Sequence, residues 1–442
     1  MWNFLLTHTP LLYFTQSLWR DEVFSILYSS RPLPFILTKS SMEPPLYYLL
    51  LHAWMKLFGT SEIAARSLSF LGFALATVVV IEWSDKLFKK HWLSWFTPLL
   101  FFTNPMLLYY AFEVRTYGWY MFFATLSIAA YKEKKWLLYT IGLILGVYTH
   151  LYILVIPFTQ FLHFLITNKT HKEFHSLPSF LSHPFIKSLL IFGICFIPWI
   201  YRLSFELGKM TNSWYYPVDL QLIKSVLGNL YTGYEGTPPF VWPYTALLSF
   251  VLFISFLYPV FRKKTQKEAV YFFLLIFVPL ISVIGVSFIK PLFVNRYLIP
   301  VTLAEIFLLA YTIMAIPKKA FQYAAAVILF VSSILFTLWY APYHTKTDFR
   351  KTLTDIMEIK QPVDAIYAED AIIFLETLYY AKSTRDVRLY NPYEKPFPWY
   401  IGDAIFSPQY FISTLPTYPE RAFLIKKNGS FVIGSVAPVK NK

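Results

Sequence analysis

Long apolar runs alternate with short polar connectors along most of the chain. A run approaching 20 apolar residues has the length that a helix needs to cross the hydrocarbon core of a bilayer. The first run is the weakest, because it is short and contains Thr7, His8, Thr9 and Gln16. The pattern predicts about eleven membrane-spanning helices, over 2–18, 64–84, 92–110, 117–130, 136–149, 151–167, 186–203, 241–260, 269–289, 298–316 and 320–340.

The pattern changes after Tyr340, where charged and turn-forming residues become frequent. Local periodicity predicts helices over 348–360 and 370–382, and strands over 364–368, 387–390, 422–425 and 431–433. The dipeptide Asn428-Gly429 is typical of a tight hairpin turn between the last two strands. We therefore predict a transmembrane domain over 1–340 and a small α/β domain over 341–442.

Composition and charge agree with a polytopic membrane protein. Hydrophobic residues make up 56% of the chain and charged residues only 14%. The formal net charge of +14 is concentrated in short connectors, as the positive-inside rule expects of cytoplasmic loops, and this argues against a nucleic-acid partner. The basic connectors are Lys86, Lys89 and Lys90, 132–135, 169–172, 262–264, and Lys318 and Lys319.

The first polar loop decides the topology of the whole chain. The run 44–59 is short and interrupted by His52 and Lys56. If it crossed the membrane, every later basic connector would move to the outer side. We therefore expect it to lie along the membrane surface, with juxtamembrane helices in the first outer loop. This topology places Asp21, the loop 113–115 and the C-terminal domain on the outer face.

The predicted outer face combines acidic and basic side chains. Such a set has a chemical use where a hydroxyl or amine loses a proton while a phosphate departs, since a carboxylate accepts the proton and cations hold the phosphate. Ion pairs between loops would produce the same composition, so both interpretations stay open. The residues are Arg20, Asp21, Glu22, Glu43, Arg66, Glu113, Arg115, His150, Arg202, Lys290 and Arg296.

Several stretches of the chain form recognisable motifs. They are Trp19-Arg20-Asp21-Glu22, Glu43-Pro44-Pro45-Leu46-Tyr47-Tyr48, 58–66, Tyr110-Ala111-Phe112-Glu113-Val114-Arg115-Thr116-Tyr117 and, more loosely, Pro291-Leu292-Phe293-Val294-Asn295-Arg296-Tyr297. In their order and spacing these stretches resemble the bacterial membrane glycosyltransferases of the protein O-mannosyltransferase and aminoarabinose transferase superfamily, including the prokaryotic family 39-like enzymes. The resemblance covers the first 120 residues closely and the rest loosely.

The resemblance implies an all-α polytopic GT-C fold in the plasma membrane with a small extracytoplasmic C-terminal α/β domain. It also implies transfer of a hexosyl or pentosyl group, with inversion, from a polyprenyl-phosphate donor to a lipid, glycan or protein acceptor. Asp21 matches the family's catalytic base, with Glu22 beside it. Glu43 stands where many members have His, which leaves its role open between substrate contact and a divalent metal ion. The candidate substrate contacts are Arg20, Glu43, Arg66, Glu113, Arg115, Tyr117, Lys290 and Arg296.

Each of these assignments has a structural alternative. Asp21 could be one half of an ion pair with Arg20 or Arg115, Glu113 could pin its loop through Arg115, and Arg66 could extend from a helix end towards water. At the level of function, the alternative is a transporter or flippase of lipid-linked sugars. A transporter would place ionisable groups near the membrane midplane, often in two related halves. The clustering of acidic residues at one face favours the transferase.

Overall fold

The structure is a computed structural model that describes residues 2–39, 43–89, 91–168, 177–206, 208, 217–383 and 385–438. Lys90 and the connector 169–172 lie outside the described residues. The helices are α1 (Trp2–His8), α2 (Leu11–Thr15), α3 (Arg20–Ser29), α4 (Leu33–Lys39), α5 (Leu46–Phe58), α6 (Glu62–Phe88), α7 (Leu93–Phe102), α8 (Pro105–Ala111), α9 (Tyr117–Lys132), α10 (Trp136–Val147), α11 (Val155–Asn168), α12 (Leu177–Ser182), α13 (Pro184–Ser204), α14 (Leu220–Thr232), α15 (Trp242–Val260), α16 (Gln266–Ser287), α17 (Ile299–Ala315), α18 (Lys319–Tyr340), α19 (Phe349–Ile359), α20 (Ala371–Ala381) and α21 (Trp399–Gly402).

Helices long and apolar enough to cross a membrane confirm the polytopic helical fold. Six segments of the described residues meet that condition: Glu62–Phe88, Pro184–Ser204, Pro239–Val260, Gln266–Ser287, Asn295–Ala315 and Lys319–Ile359. Shorter apolar helices, such as α10 with 12 residues, occupy other predicted spans. The first polar loop contains α3, α4 and α5, so the helices expected in that loop are present.

Two predicted spans are interrupted. The expectation of one helix over 2–18 is wrong, because α1 and α2 are separate helices on either side of Pro10. Proline has no backbone N–H, and its ring excludes the preceding helical turn. The predicted span 92–110 likewise consists of α7 and α8. Asn104 caps α8 by accepting a hydrogen bond from the backbone N–H of Leu107, with Pro105 at the first helical position.

The described chain groups into two compact units. Unit 1 comprises 1–10, 42–47 and 67–343, and unit 2 comprises 11–41, 48–66 and 344–442. Unit 2 therefore combines segments of the first polar loop with the C-terminal region. This grouping differs from the predicted boundary between residues 340 and 341, which stays a prediction for the topological domains.

In unit 1, helices α6 and α9 approach each other at two glycines. A Cβ on Gly118 would lie 1.9 Å from the carbonyl oxygen of Ser69, and one on Gly72 would lie 2.6 Å from the carbonyl carbon of Gly118. No side chain fits at this crossing, so the backbones can pack directly. The Ser69 hydroxyl also donates to the carbonyl oxygen of Arg115 at 3.1 Å. The crossing thus fixes the loop that precedes α9 and contains Glu113 and Arg115.

The C-terminal part of unit 2 contains a five-stranded sheet. Its strands are β1 (Ala365–Ala368), β2 (Val387–Tyr390), β3 (Phe411–Ile412), β4 (Ala422–Ile425) and β5 (Phe431–Gly434). Their spatial order is β3-β2-β1-β4-β5, parallel except for the hairpin between β4 and β5. Helices α19 and α20 pack together, and α20 also packs on β1 and β2. The α/β structure predicted for the C-terminal region is confirmed, and the two-residue strand β3 is an addition to it.

Candidate functional site

Helix α3 of unit 2 begins at the predicted active-site motif. Its first turn contains Asp21 and Glu22, where the unpaired backbone N–H groups and the helix dipole stabilise negative charge. Glu22 also accepts a hydrogen bond from the backbone N–H of Trp19 at 3.3 Å. The exposed fraction of the side chain is 17% for Asp21 and 0% for Glu22. The two adjacent carboxylates therefore have different surroundings.

Glu22 is held in a buried ion-pair network. Arg66 donates to both carboxylate oxygens at 2.8 Å, and the Lys346 ammonium donates at 3.0 Å. Burial alone would raise the pKa of Glu22, but the charges and hydrogen bonds of Arg66 and Lys346 outweigh it and lower the pKa to about 2. Glu22 is thus a permanently ionised structural partner.

Arg66 is fully buried and does not extend towards water. Besides Glu22, its guanidinium donates to the carbonyl oxygens of Phe14, Gln16 and Ser17, at 3.1, 2.6 and 3.2 Å. One side chain therefore holds the segment that leads into α3, which leaves the predicted substrate contact of Arg66 without an exposed group.

Asp21 pairs with its neighbour in the sequence. The Nε of Arg20 donates to Oδ1 of Asp21 at 2.9 Å, and both side chains are partly exposed. The Arg20 guanidinium also lies 5.9 Å from the ring centroid of Trp19. The Arg20 ion pair considered as a structural alternative is therefore present, and it leaves part of the Asp21 side chain accessible.

Helix α20 packs against α3 and supplies contacts that the sequence did not reveal. The Tyr380 hydroxyl accepts a hydrogen bond from the backbone N–H of Leu18 at 2.7 Å and donates one to Oε1 of Glu62 at 3.1 Å. Glu376 is buried, and burial raises the pKa of its carboxyl group to about 8. The charge of Arg20 and hydrogen bonds to the backbone of Glu376 and Arg20 lower this pKa by smaller amounts. An isolated Glu within the apolar run of α20 was the signal that could have identified this position.

In unit 1, Arg115 is paired with Glu43. An Nη2 proton of Arg115 is donated to Oε1 of Glu43, and the Arg115 side chain is nearly buried. Glu113, two residues earlier in the same loop, is also buried. Two of the stretches that carry the resemblance, separated by about 70 residues in the chain, therefore meet within this unit.

Arg296 lies in a second polar group of unit 1. Its Nη1 is 3.5 Å from Oε1 of Glu235, and the Tyr110 hydroxyl donates to the same oxygen. The rings of Tyr110 and Tyr117 are 5.0 Å apart, which places Tyr117 beside this group. Glu235 was not among the predicted residues, because it stands in a long polar loop with no motif around it.

His150 packs among the aromatic residues near these cations. Its ring stacks on Tyr120 at 4.5 Å and meets Tyr297 edge-on at 4.9 Å. Burial, Arg115 and Arg296 together lower the pKa of His150 to about 3, so its imidazole is neutral. This agrees with a histidine used in packing.

Lys290 follows α16, where its backbone N–H donates to the carbonyl of Val286 at 2.9 Å. No ion pair joins the Lys290 side chain to another described residue. No three His, Cys, Asp or Glu side chains within the described ranges come together in a way that could hold a metal ion.

The chain has the GT-C fold. It is similar to ArnT, an aminoarabinose transferase, from Cupriavidus metallidurans in the apo state, with a TM-score of 0.61, 11% identity, and coverage of 94% of this chain and 91% of that chain. For ArnT bound to undecaprenyl phosphate the TM-score is 0.60, at 12% identity over 96% of this chain and 93% of that chain.

A further similar structure is the archaeal oligosaccharyltransferase AglB from Archaeoglobus fulgidus, in complex with an inhibitory peptide and a dolichol-phosphate. Its TM-score is 0.49 at 12% identity, over 86% of this chain and 60% of that chain. No protein-family model and no curated protein matches the sequence. The two ArnT structures confirm the predicted resemblance at the level of the fold.

Proposed function

We propose that this protein is a glycosyltransferase that moves a sugar from a polyprenyl-phosphate donor to an acceptor at the outer face of the membrane. The observation that carries the proposal is the similarity of fold to ArnT bound to undecaprenyl phosphate, which extends over 96% of this chain. A fold alone is compatible with several functions. The charged groups within each unit, taken separately, supply the chemical part of the argument.

In unit 2, Asp21 is the general base. Its carboxylate is partly accessible and lies in the first turn of α3, beside Arg20. It accepts the proton of the acceptor as the acceptor oxygen or nitrogen attacks the anomeric carbon. The bond from that carbon to the phosphate oxygen breaks, polyprenyl phosphate leaves, and the configuration inverts. Glu22 and Arg66 act as positioning residues, because both are fully buried in their ion pair.

In unit 1, Arg115 and Arg296 are the groups that bind the donor phosphate. Guanidinium binds phosphate through two parallel hydrogen bonds. The Arg296 guanidinium also lies 5.7 Å from the ring centroid of Tyr297, an aromatic side chain suited to contact an apolar lipid chain. Glu43, Glu113 and Tyr117 surround or orient these cations. Lys290 is a weaker candidate for a phosphate contact, since it has no described ion pair that would fix it.

The first test is transfer by purified protein supplied with radiolabelled polyprenyl-phospho-sugars. Asp21→Asn keeps the shape of the side chain and removes its ability to take a proton, so we expect the transfer rate to fall by roughly 10²-fold or more. The matched control is Asp348→Asn, the same change at a residue that caps α19 through a hydrogen bond that Asn can also make.

Equal transfer by wild type and Asp21→Asn would remove Asp21 from the role of base. Absence of transfer by the wild type with every donor tested would contradict the proposed function itself. Mass analysis of cell-envelope glycans from a deletion strain identifies the sugar and the acceptor to supply in this assay.

One observation favours the second candidate function, a flippase of lipid-linked sugars. Glu305 lies within the apolar segment Asn295–Ala315, is fully buried, and has no hydrogen-bond partner for either carboxylate oxygen among the described residues. Ionisable residues at membrane depth are typical of transport pathways. Proteoliposomes separate the two functions, since a flippase moves an intact lipid-linked sugar across the bilayer whereas a transferase releases polyprenyl phosphate.

A further inference from the structure

The charged residues near His150 and Tyr110 in unit 1 do not form a cationic pocket. Arg115 and Arg296 are both close enough to the His150 imidazole to interact with it electrostatically. Glu113, Glu235 and Arg296 interact in the same way with the Tyr110 hydroxyl. With Glu43 on Arg115, the group contains two guanidinium groups and three carboxylates. A phosphate would thus enter a region with excess negative charge, unless one carboxylate moves away from the arginine with which it is paired.

Glu235 is the carboxylate best placed to do so. Its side chain is 37% exposed and that of Glu43 is 39% exposed, whereas Glu113 is 2% exposed, so the length of the ion pair decides between Glu235 and Glu43. The ion pair of Glu235 with Arg296 is 3.5 Å long, which exceeds the contact between Arg115 and Glu43. The Arg296 side chain is only 12% exposed, and a guanidinium at that burial needs an anionic partner at all times.

The backbone around Glu235 is fixed, so the exchange involves the side chain alone. Gly233 and Gly236 hold the turn with positive φ angles of 73° and 106°. The carbonyl oxygen of Tyr234 accepts a hydrogen bond from the side-chain amide of Asn295 at 2.9 Å. The backbone N–H of Glu235 donates a hydrogen bond to the Tyr340 hydroxyl at 3.4 Å. Rotation of the Glu235 side chain would leave these contacts in place.

We propose that Glu235 is a displaceable counterion of Arg296, and that the phosphate of the lipid-linked donor replaces it on the guanidinium. This inference rests on the proposed function. The donor phosphodiester carries one negative charge, as Glu235 does, so Arg296 stays paired before and after the exchange. Transfer of the sugar leaves a phosphate monoester with close to two negative charges at neutral pH. Arg296 holds this product more strongly than the donor, and the return of Glu235 assists its release.

The test is the binding of undecaprenyl phosphate to the full chain in detergent. Glu235→Gln removes the competing charge, so we expect a dissociation constant roughly tenfold lower than that of the wild type. Tyr110→Phe keeps the charge but removes the hydroxyl that holds the carboxylate, and should lower the dissociation constant by a smaller factor. Both effects should shrink at high salt, because the gain is electrostatic.

The control is Glu268→Gln, which removes the same charge from another ion pair of unit 1. Glu268 lies 2.7 Å from Lys132, the last residue of α9, whereas Tyr117 is the first. A helix of that length places the two ends roughly 22 Å apart. We expect the affinity for undecaprenyl phosphate to be unchanged in this variant.

A Glu235→Gln protein with wild-type melting temperature but equal or weaker binding would overturn the exchange and identify the Glu235 pair as structural. If that variant does not fold, Tyr110→Phe decides: tighter binding supports the exchange, and equal or weaker binding overturns it. Failure of the wild type to bind undecaprenyl phosphate overturns the proposed function and the exchange together. Wild-type binding with no gain in either variant overturns the exchange alone.

Discussion

The carboxylates of Asp21 and Glu22 differ because neighbouring residues on a helix point about 100° apart. Glu22 is directed into a buried site where Arg66 and Lys346 bind it, and Asp21 is directed to a partly exposed site beside Arg20. A pair of acidic residues at a helix start can therefore divide two tasks. One carboxylate fixes the helix, and the other, which is partly exposed, is the proposed base.

At this scale we predict that Arg66→Met is strongly destabilising. It leaves the buried Glu22 with Lys346 alone and removes three hydrogen bonds to backbone carbonyls. Breaking a buried ion pair costs about 3–5 kcal/mol, which thermal unfolding in detergent would detect. The triple variant with Glu22→Leu and Lys346→Met should recover part of this loss, because no member of the charged network is then left buried without its partners. A single variant as stable as the wild type would show that the pair has no structural role.

Sequence reasoning identified the charged residues of unit 2 but not their partners. Glu22 and Arg66 are 44 positions apart, and Lys346 is 324 positions from Glu22. Nothing in local periodicity encodes such a contact. The same applies to Glu235, whose significance depends on Arg296 and Tyr110 from distant helices. The types of residue at the site were predictable, whereas their pairings required the fold.

At the scale of elements, prediction succeeded where the signal was local. The hairpin of β4 and β5 follows from its turn residues, and β1 and β2 from short runs of strand-forming residues. Strand β3 has only two residues and is defined by its pairing with β2. The local sequence pattern therefore could not predict it. In the first predicted span, hydropathy indicated one helix, but the chain forms two, α1 and α2, because Pro10 interrupts the helical hydrogen bonding.

The crossing of α6 and α9 gives a prediction at this scale. Gly118→Ala introduces a Cβ 1.9 Å from the backbone oxygen of Ser69, so the helices must separate. We expect a lower melting temperature and lower transfer, because the loop with Glu113 and Arg115 continues directly into α9. Gly193→Ala in α13 is the matched control, since its Cβ would meet nothing within 4 Å. Equal stability of the two variants would contradict the role of the crossing.

At the scale of the whole molecule, the distribution of basic connectors predicts the orientation of the helices across the membrane. The long apolar helices show a chain built to span a membrane, and the sign and place of the connectors predict which ends face the cytoplasm. This prediction does not depend on any side-chain contact. It is therefore testable without knowledge of donor or acceptor.

We predict that the C-terminal sheet lies outside the cell membrane. In a Cys195→Ser background, Lys427→Cys should react with a membrane-impermeant maleimide in intact cells, because Lys427 is 60% exposed in the sheet region. Lys263→Cys, in the connector between α15 and α16, should react only after the cells are permeabilised. The reverse labelling pattern would invert the proposed topology and place Asp21 on the cytoplasmic side.

The buried network of Glu22, Arg66 and Lys346 also has a consequence for biosynthesis. Glu22 and Arg66 leave the ribosome early, and their pair can form while most of the chain is still unmade. Lys346 follows α18, the last of the long membrane helices, so it emerges only after the preceding spans have been inserted. The helix that presents Asp21 thus completes its contacts near the end of translation, and a truncated chain would retain an unfinished N-terminal segment.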